Sequence, residues 1–211
     1  MYTYTKNLTG QEAVMRRLII GITGASGSIY FKRLVEELLS GEYELHLVAS
    51  EHGSQVYEYE IGKSLREQVQ EWQKVNENII LENNDNLFSP IASGSYKCES
   101  MVVIPCSMST AAEISNGITK TLLTRAADVM LKEDRKLLLV PRETPFSTNH
   151  LKNLYELSKL GAAILPAMPG FYNHPQTLEE AVDFVVGKVL DNLKIENTCY
   201  KRWEGRNKDE K

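Results

Sequence analysis

Leu18-Ile19-Ile20-Gly21-Ile22-Thr23-Gly24-Ala25-Ser26-Gly27 passes from an apolar run directly into small and hydroxylated residues. Such a run reads as a buried strand, and the residues after it as the tight turn that opens a helix. The pattern recurs downstream, where Met101-Val102-Val103-Ile104 is followed by Pro105-Cys106-Ser107-Met108-Ser109-Thr110. A helix that starts at the end of a strand aims several unpaired N–H groups at one point, which is the geometry an anion requires. Together the two loops predict a divided cradle for a phosphorylated cofactor, set on a parallel sheet. Taken singly, each also reads as an ordinary strand-to-helix turn.

Working outward, residues 17–22, 44–49, 101–105, 136–140 and 162–165 read as strands. Residues 28–39, 53–59, 63–72, 117–133 and 150–160 carry helical rhythm. Thr177 caps a last helix to residue 193, whose inner side holds Leu178, Ala181, Val182, Val185, Val186, Val189 and Leu193. Thr110-Ala111-Ala112-Glu113 has capping-box spacing, so the helix behind the second loop is predicted to begin there. Residues 76–95 read as loop apart from Ile79-Ile80-Leu81. Strands alternating with helices predict an α/β fold with a doubly wound parallel sheet, in which ligands lie outside the carboxyl ends of the strands. The expected organisation is a flexible head over 1–16, a single domain over 17–195 and a polar tail over 196–211.

The chain of 211 residues is 42% hydrophobic, enough for a full core, and its 24 basic and 28 acidic residues leave a net charge of −4. No basic block is present to neutralise a run of phosphates, which argues against nucleic acid. Residues 1–17 lack the apolar core of a signal peptide and no run approaches membrane-spanning length, so a cytoplasmic protein is expected. Cys98, Cys106 and Cys199 show no C-x-x-C spacing and the four histidines are scattered, so neither a disulfide framework nor a metal site is expected.

Two Tyr-x-x-x-Lys pairs, Tyr59 with Lys63 and Tyr155 with Lys159, invite a dehydrogenase reading. It fails because Tyr30 stands where the dinucleotide fingerprint needs its third glycine, and the second strand ends in Ala49-Ser50 where a ribose meets a carboxylate, although Glu51 follows. A mononucleotide such as FMN needs only a phosphate cradle and one wall for its ring, with Ser50 available to a hydroxyl or phosphate. Arg125 and Lys132 lie two helical turns apart and project from one face, as a second anion site requires. Asp128 between them supports the plainer reading, ion pairing on a solvated surface. Arg142 and Glu143 follow a buried strand, held between Pro141 and Pro145, where a glutamate can exchange a proton with a ligand. Glu60, Ser93, Tyr172, Lys188 and Trp203 mean little singly, Cys106 reads as a buried thiol, and His46 as a strand residue with a packing role.

Taken jointly, Gly-Ile-Thr-Gly-Ala-Ser-Gly, Ala-Ser-Gly-Ser, Pro-Cys-Ser-Met-Ser-Thr, Leu-Leu-Thr-Arg-Ala-Ala-Asp-Val-Met-Leu-Lys, Val-Pro-Arg-Glu-Thr-Pro and Pro-Ala-Met-Pro-Gly-Phe-Tyr resemble, in order, the UbiX family of flavin prenyltransferases. The resemblance runs from about residue 17 to 203. It implies a flavodoxin-like Rossmann fold, a homo-oligomer, usually a dodecamer, and metal-independent transfer of a dimethylallyl group from dimethylallyl phosphate to N5 and C6 of reduced FMN. The product would be prenylated FMN, for a UbiD-type decarboxylase. Carried over by motif, Gly24, Ala25, Ser26, Ser50, Ser107, Met108, Ser109, Thr110 and Arg142 would bind FMN. Ser93, Arg125, Lys132, Glu143, Tyr172 and Lys188 would surround the prenyl phosphate, with Trp203 shielding the allylic cation and a neighbouring subunit completing the site.

Glu143, Ser26 and Glu60 resemble the family's acid, base and relay groups, their individual roles open, while Lys132 would stabilise the departing phosphate. Lys188 departs from the pattern, since many relatives carry arginine there and a lysine offers a point charge in place of a planar fork. Three other readings stand beside this one. They are an FMN-dependent cysteine decarboxylase of the same fold, for which His52 is the nearest histidine, a non-catalytic flavin carrier, and a subunit that decarboxylates aromatic acids directly.

Overall fold

The computed structural model describes residues 4–6, 12–203 and 205, grouped in two compact units, Met1–Ala167 and Met168–Lys211. The first unit opens with strands β1 (Tyr4–Lys6) and β2 (Glu12–Val14), which pair antiparallel. The polar composition of the head carried no signal for them.

There follow β3 (Arg16–Ile22), α1 (Ser28–Leu38), β4 (Tyr43–Ala49), α2 (Glu51–Ile61), α3 (Leu65–Trp72) and β5 (Ile79–Glu82). After a short 3-10 turn at Pro90–Ala92 come β6 (Ser100–Cys106), α4 (Met108–Ser115), α5 (Leu122–Lys132), β7 (Lys136–Pro141), α6 (Thr148–Lys159) and β8 (Ala163–Ile164). The six strands β3 to β8 form one sheet in the order β5-β4-β3-β6-β7-β8, and every neighbouring pair is parallel. Counted from its first strand, this is the order 3-2-1-4-5-6 of a doubly wound fold. The chain steps outward to β5, then returns to pair β6 with the other side of β3. A crevice therefore opens at the carboxyl ends of β3 and β6, the two strands whose loops the sequence singled out.

Both faces of the sheet are covered, which is why its strands read as continuous apolar runs. On one face Ile19, Met101, Val103, Leu137 and Leu139 pack with Ile114 of α4, Leu123, Ala126 and Met130 of α5, and Leu157 of α6. The alternate residues Leu18, Ile20, Val102 and Leu138 are equally buried and point the other way. The helix α1 lies against β3 and β6, and its Phe31 meets the rings of Tyr57 and Trp72, from α2 and α3, at 6.0 and 6.2 Å.

Two expected boundaries move. The helix behind the second loop begins at Met108, because Ser107 rather than Thr110 is its cap, accepting from the Thr110 N–H at 3.3 Å. The rhythm of 117–133 yields a helix only from Leu122, since Gly117 sits at φ +67° and Thr121 caps afresh. Among the described residues no helix is long and apolar enough to cross a membrane.

The second unit contains α7 (Leu178–Asn192), capped by Thr177 as expected. Val182, Val185, Val186, Val189 and Leu193 are buried, whereas Leu178, at the open first turn, is 65% exposed. Residues 197–202 fold back on α7: the Tyr200 hydroxyl and the Arg202 guanidinium both bond Asp191, at 2.6 and 2.7 Å. The Arg202 bond, against the opposing effect of burial, holds the Asp191 carboxyl down at about 2.

Candidate active site

The two loops meet through one buried hydroxyl. Thr23 Oγ1 donates to the Pro105 carbonyl at 3.0 Å and accepts from the Ser107 N–H at 2.7 Å, so the end of β3 is bolted to the end of β6. The sequence did not single out Thr23, because a threonine beside glycines looks like ordinary turn chemistry until its partner, 84 residues away, is known.

Beside this junction lies a cavity of about 480 Å³ lined by Gly24, Ser50, His52, Ser107, Ser109 and Thr110, with Asn84, Glu113, Thr121 and Thr124 further round. The amino ends of α2, α4 and α5 converge on it, each capped by a side chain in or beside the wall: Ser50, Ser107 and Thr121. First-turn amides such as those of Met108 and Ser109 have no acceptor within their own helix, and three helix dipoles raise the local potential. A phosphate fits this wall. Met108 itself is 6% exposed, so its contribution is its backbone N–H. Asn84, absent from the sequence reading, holds the α5 terminus in place: its carbonyl accepts from Leu122 N–H at 2.7 Å and its Oδ1 from Leu123 N–H at 3.0 Å.

Three amides in and after the first loop are held within the chain: Ala25 N–H donates to the Thr23 carbonyl, and Gly27 and Ser28 N–H donate to Glu60 at 3.0 and 2.7 Å. Glu60 thus caps α1, whose own cap Gly27 has no side chain and sits at φ +113°. The carboxylate is at the unfavourable carboxyl end of α2 and the favourable amino end of α1. Residues 107–110 keep first-turn amides with no acceptor in their own helix, whereas in the first loop the Gly27 and Ser28 amides turn to Glu60 and Gly24 stands in the cavity wall. Gly24 makes that wall possible, since a Cβ there would lie 2.7 Å from His52 Cβ. Gly24→Val is expected to cost about 1–3 kcal/mol of stability, read by urea unfolding, through overpacking against α2.

Burial alone would raise the Glu60 carboxyl, yet the bonds it accepts from the Ser26 hydroxyl and the Ser28 and Gly27 amides hold it below the ordinary range. A depressed carboxyl contributes stability that is present above its unfolded value, about 4.3, and is lost as pH falls through the folded one. The stability gap between wild type and Glu60→Gln, from urea titrations, is therefore expected to be level between about pH 5 and 8 and to shrink below about pH 4.

Arg142 lies at the carboxyl end of β7 and donates from Nε to the Ser26 carbonyl at 3.0 Å, which brings it to the first loop. Glu143 follows, half-buried, its Oε1 accepting from Thr144 N–H at 2.9 Å. Gly24, Ala25, Ser26, Glu60 and Arg142 thus form one group with Ser50 and residues 107–110 beside it.

Ser93, Arg125 and Lys132 form a second group. Arg125 donates from Nε to the Ala92 carbonyl at 3.1 Å and pairs with Asp128 at 3.0 Å, while Lys132 faces Glu133 at 3.6 Å. Asp128 therefore pairs with one of the two cations it was expected to serve. The exposed Ser93 hydroxyl bonds Ser95 at 2.9 Å. Because α5 begins at the cavity and descends about 1.5 Å per residue, Lys132 ends roughly 12 Å below Thr124, toward the amino edge of the sheet. Arg125, next to Thr124 in the first turn of α5, stays at the cavity end, and Lys132 alone of the two cations lies at the far end.

In the second unit Tyr172 stacks edge-on with Phe184 at 5.8 Å and with Trp203 at 5.7 Å, and Lys188 Nζ stands 5.8 Å over the Tyr200 ring. Lys188 is exposed. Trp203, in the polar tail, thereby belongs to an aromatic cluster.

The chain matches the Flavoprotein family over residues 6–200. It is 46% identical over 200 residues to the flavin prenyltransferase UbiX of Alkalihalophilus pseudofirmus, covering 91% of this chain and 98% of that one. Among solved structures it is similar to AnUbiX (PadA1) in complex with FMN and dimethylallyl pyrophosphate, at 35% identity and a TM-score of 0.84, over 91% of this chain and 99% of that one. It is likewise similar to a dodecameric FMN-dependent UbiX-like decarboxylase from Escherichia coli O157:H7, at 42% identity and a TM-score of 0.83, over 90% of this chain and 100% of that one.

Proposed function

This chain belongs to the UbiX family of flavin prenyltransferases, and we propose from that premise that it joins the dimethylallyl group of dimethylallyl phosphate to N5 and C6 of reduced FMN. The observation that carries the reading is the cavity between β3 and β6, where three helix amino ends and six hydroxyls suit a flavin phosphate. Reduced FMN supplies the electron-rich nitrogen and ring carbon that take the five-carbon group.

The chain's own residues do the rest. Ser50, Ser107, Ser109, Thr110 and the Met108 amide hold the flavin phosphate and ribityl hydroxyls, Gly24, Ala25 and Ser26 wall the ring, and Arg142 borders it. Breaking the C–O bond of an allylic phosphate leaves a phosphate dianion, which Arg125 and Lys132 stabilise with the Ser93 hydroxyl, Lys188 being assigned to it on the resemblance alone. Closing the second bond adds a proton to the alkene CH and removes one from C6, and Glu143 is the group proposed to exchange these protons. Glu60, ionised at neutral pH, accepts from the Ser26 hydroxyl and so orients a relay beside the ring. Tyr172 and Trp203 are proposed as aromatic surfaces for the allylic cation, on the resemblance alone.

The placement of Lys132 at the end of α5 away from the cavity supports a site completed by a second copy, and a homododecamer is the assembly proposed. The product, prenylated FMN, is proposed to serve a UbiD-type decarboxylase. The pure protein, mixed anaerobically with reduced FMN and dimethylallyl phosphate, is expected to release flavin heavier by one C5 unit. Unchanged FMN, the outcome of a flavin carrier, would overturn the proposal.

A further inference from the structure

The turn that carries Ser93 is held from two sides by side chains that the proposed transfer does not itself use. Arg135, directly after α5, reaches back to it: Nη1 donates to the Tyr96 carbonyl at 2.9 Å and Nη2 donates to the Gly94 carbonyl. Glu133 lies so close that a Cβ added at Gly94 would stand 2.2 Å from its Oε1. On the sheet side, the Tyr96 hydroxyl donates to Glu44 and lies 3.1 Å from His46 Nε2, while the Arg17 guanidinium stands 4.5 Å over the Tyr96 ring. His46 Nδ1 faces Glu82 at 2.7 Å, and Glu82 accepts from Ser89 Oγ at 2.8 Å, at the start of the same connection.

Glu44 and His46 are only 8% and 1% exposed. Charged groups desolvated in this way gain little over well-packed apolar residues, so their presence calls for a role in specifying geometry. No group of described histidines, cysteines or acids is arranged to hold a metal ion. What the set does touch is the 92–96 turn, whose Ala92 carbonyl fixes Arg125.

We propose that Tyr96 and Arg135, backed by Glu44 and His46, are positioning residues of the donor-phosphate subsite, setting the turn that presents Ser93 and orients Arg125. The inference rests on the prenyl-transfer reading and adds to it the residues that govern donor affinity. The flavin cradle hangs on Thr23 and the caps of α2, α4 and α5, so loosening the turn leaves it intact.

The test compares Tyr96→Phe, which loses one hydroxyl, and Arg135→Lys, which cannot bridge two carbonyls, with wild type. Each is expected to raise the KM for dimethylallyl phosphate about tenfold, with kcat within about twofold and FMN affinity unchanged. Inorganic phosphate, titrated against the FMN-loaded protein, is expected to bind correspondingly more weakly, and amide exchange at residues 92–96 to quicken. A lower melting temperature with unchanged KM and unchanged phosphate affinity in both variants would reduce the set to a structural role and overturn the inference. If wild type itself transfers no C5 unit, the functional reading fails separately, and phosphate affinity with amide exchange still decides whether these residues position an anion site.

Discussion

Glu143→Gln is expected to keep its flavin and lose turnover by about 10²- to 10³-fold, the range of a lost general acid or base. Glutamine matches the shape of glutamate and retains a carbonyl oxygen for the Thr144 N–H, the bond that fixes the side chain after β7. Local structure and FMN affinity should therefore persist. What disappears is the capacity to take a proton, a rise of about 3–4 kcal/mol in the barrier. Single-turnover mass spectrometry of released flavin measures the first quantity and flavin fluorescence titration the second. Loss of FMN in parallel with activity would make Glu143 a binding residue, and turnover within about threefold of wild type would remove it from the chemistry altogether.

Glu44→Ala should destabilise the first unit by about 3–5 kcal/mol, the cost of breaking a buried ionic set from one side. Burial opposes ionisation of Glu44, but bonds from Tyr96, His46 and Arg17 outweigh it and hold the carboxyl below its ordinary range. Alanine removes the acceptor shared by those three donors at a point where water cannot easily replace it. The midpoint of urea unfolding should fall with an unchanged slope, since the unfolded surface is the same. A shift equivalent to less than about 1 kcal/mol would mean that the set is solvated and surface-like.

Much of the fold was legible because both-face burial writes itself into sequence as runs such as Leu18 to Ile22 and Met101 to Ile104, closed by small residues. The site was legible in part. Residues 107–110 announced a helix start after a strand, and that is what they form, although the cap proved to be Ser107. Nothing local to Gly24-Ala25-Ser26-Gly27 says that Glu60, 33 residues away, accepts from the Gly27 amide. Thr23 and Asn84 were missed for the same reason: each works through partners distant in sequence. His46 read as packing, and only its neighbours Glu44, Glu82 and Tyr96 turn it into part of a polar set.

By itself the sequence determined the alternation of strands and helices, the helix start behind the second loop and, through motifs in their order, the family. The tertiary structure decided the strand order that brings Thr23 to Ser107, the use of Glu60 as a cap for α1, and the separation of Lys132 from the flavin cradle along α5. Periodicity and capping are short-range and leave their mark on adjacent residues, whereas the pairing of β6 with β3 and the contacts of buried charges join segments that no local pattern relates.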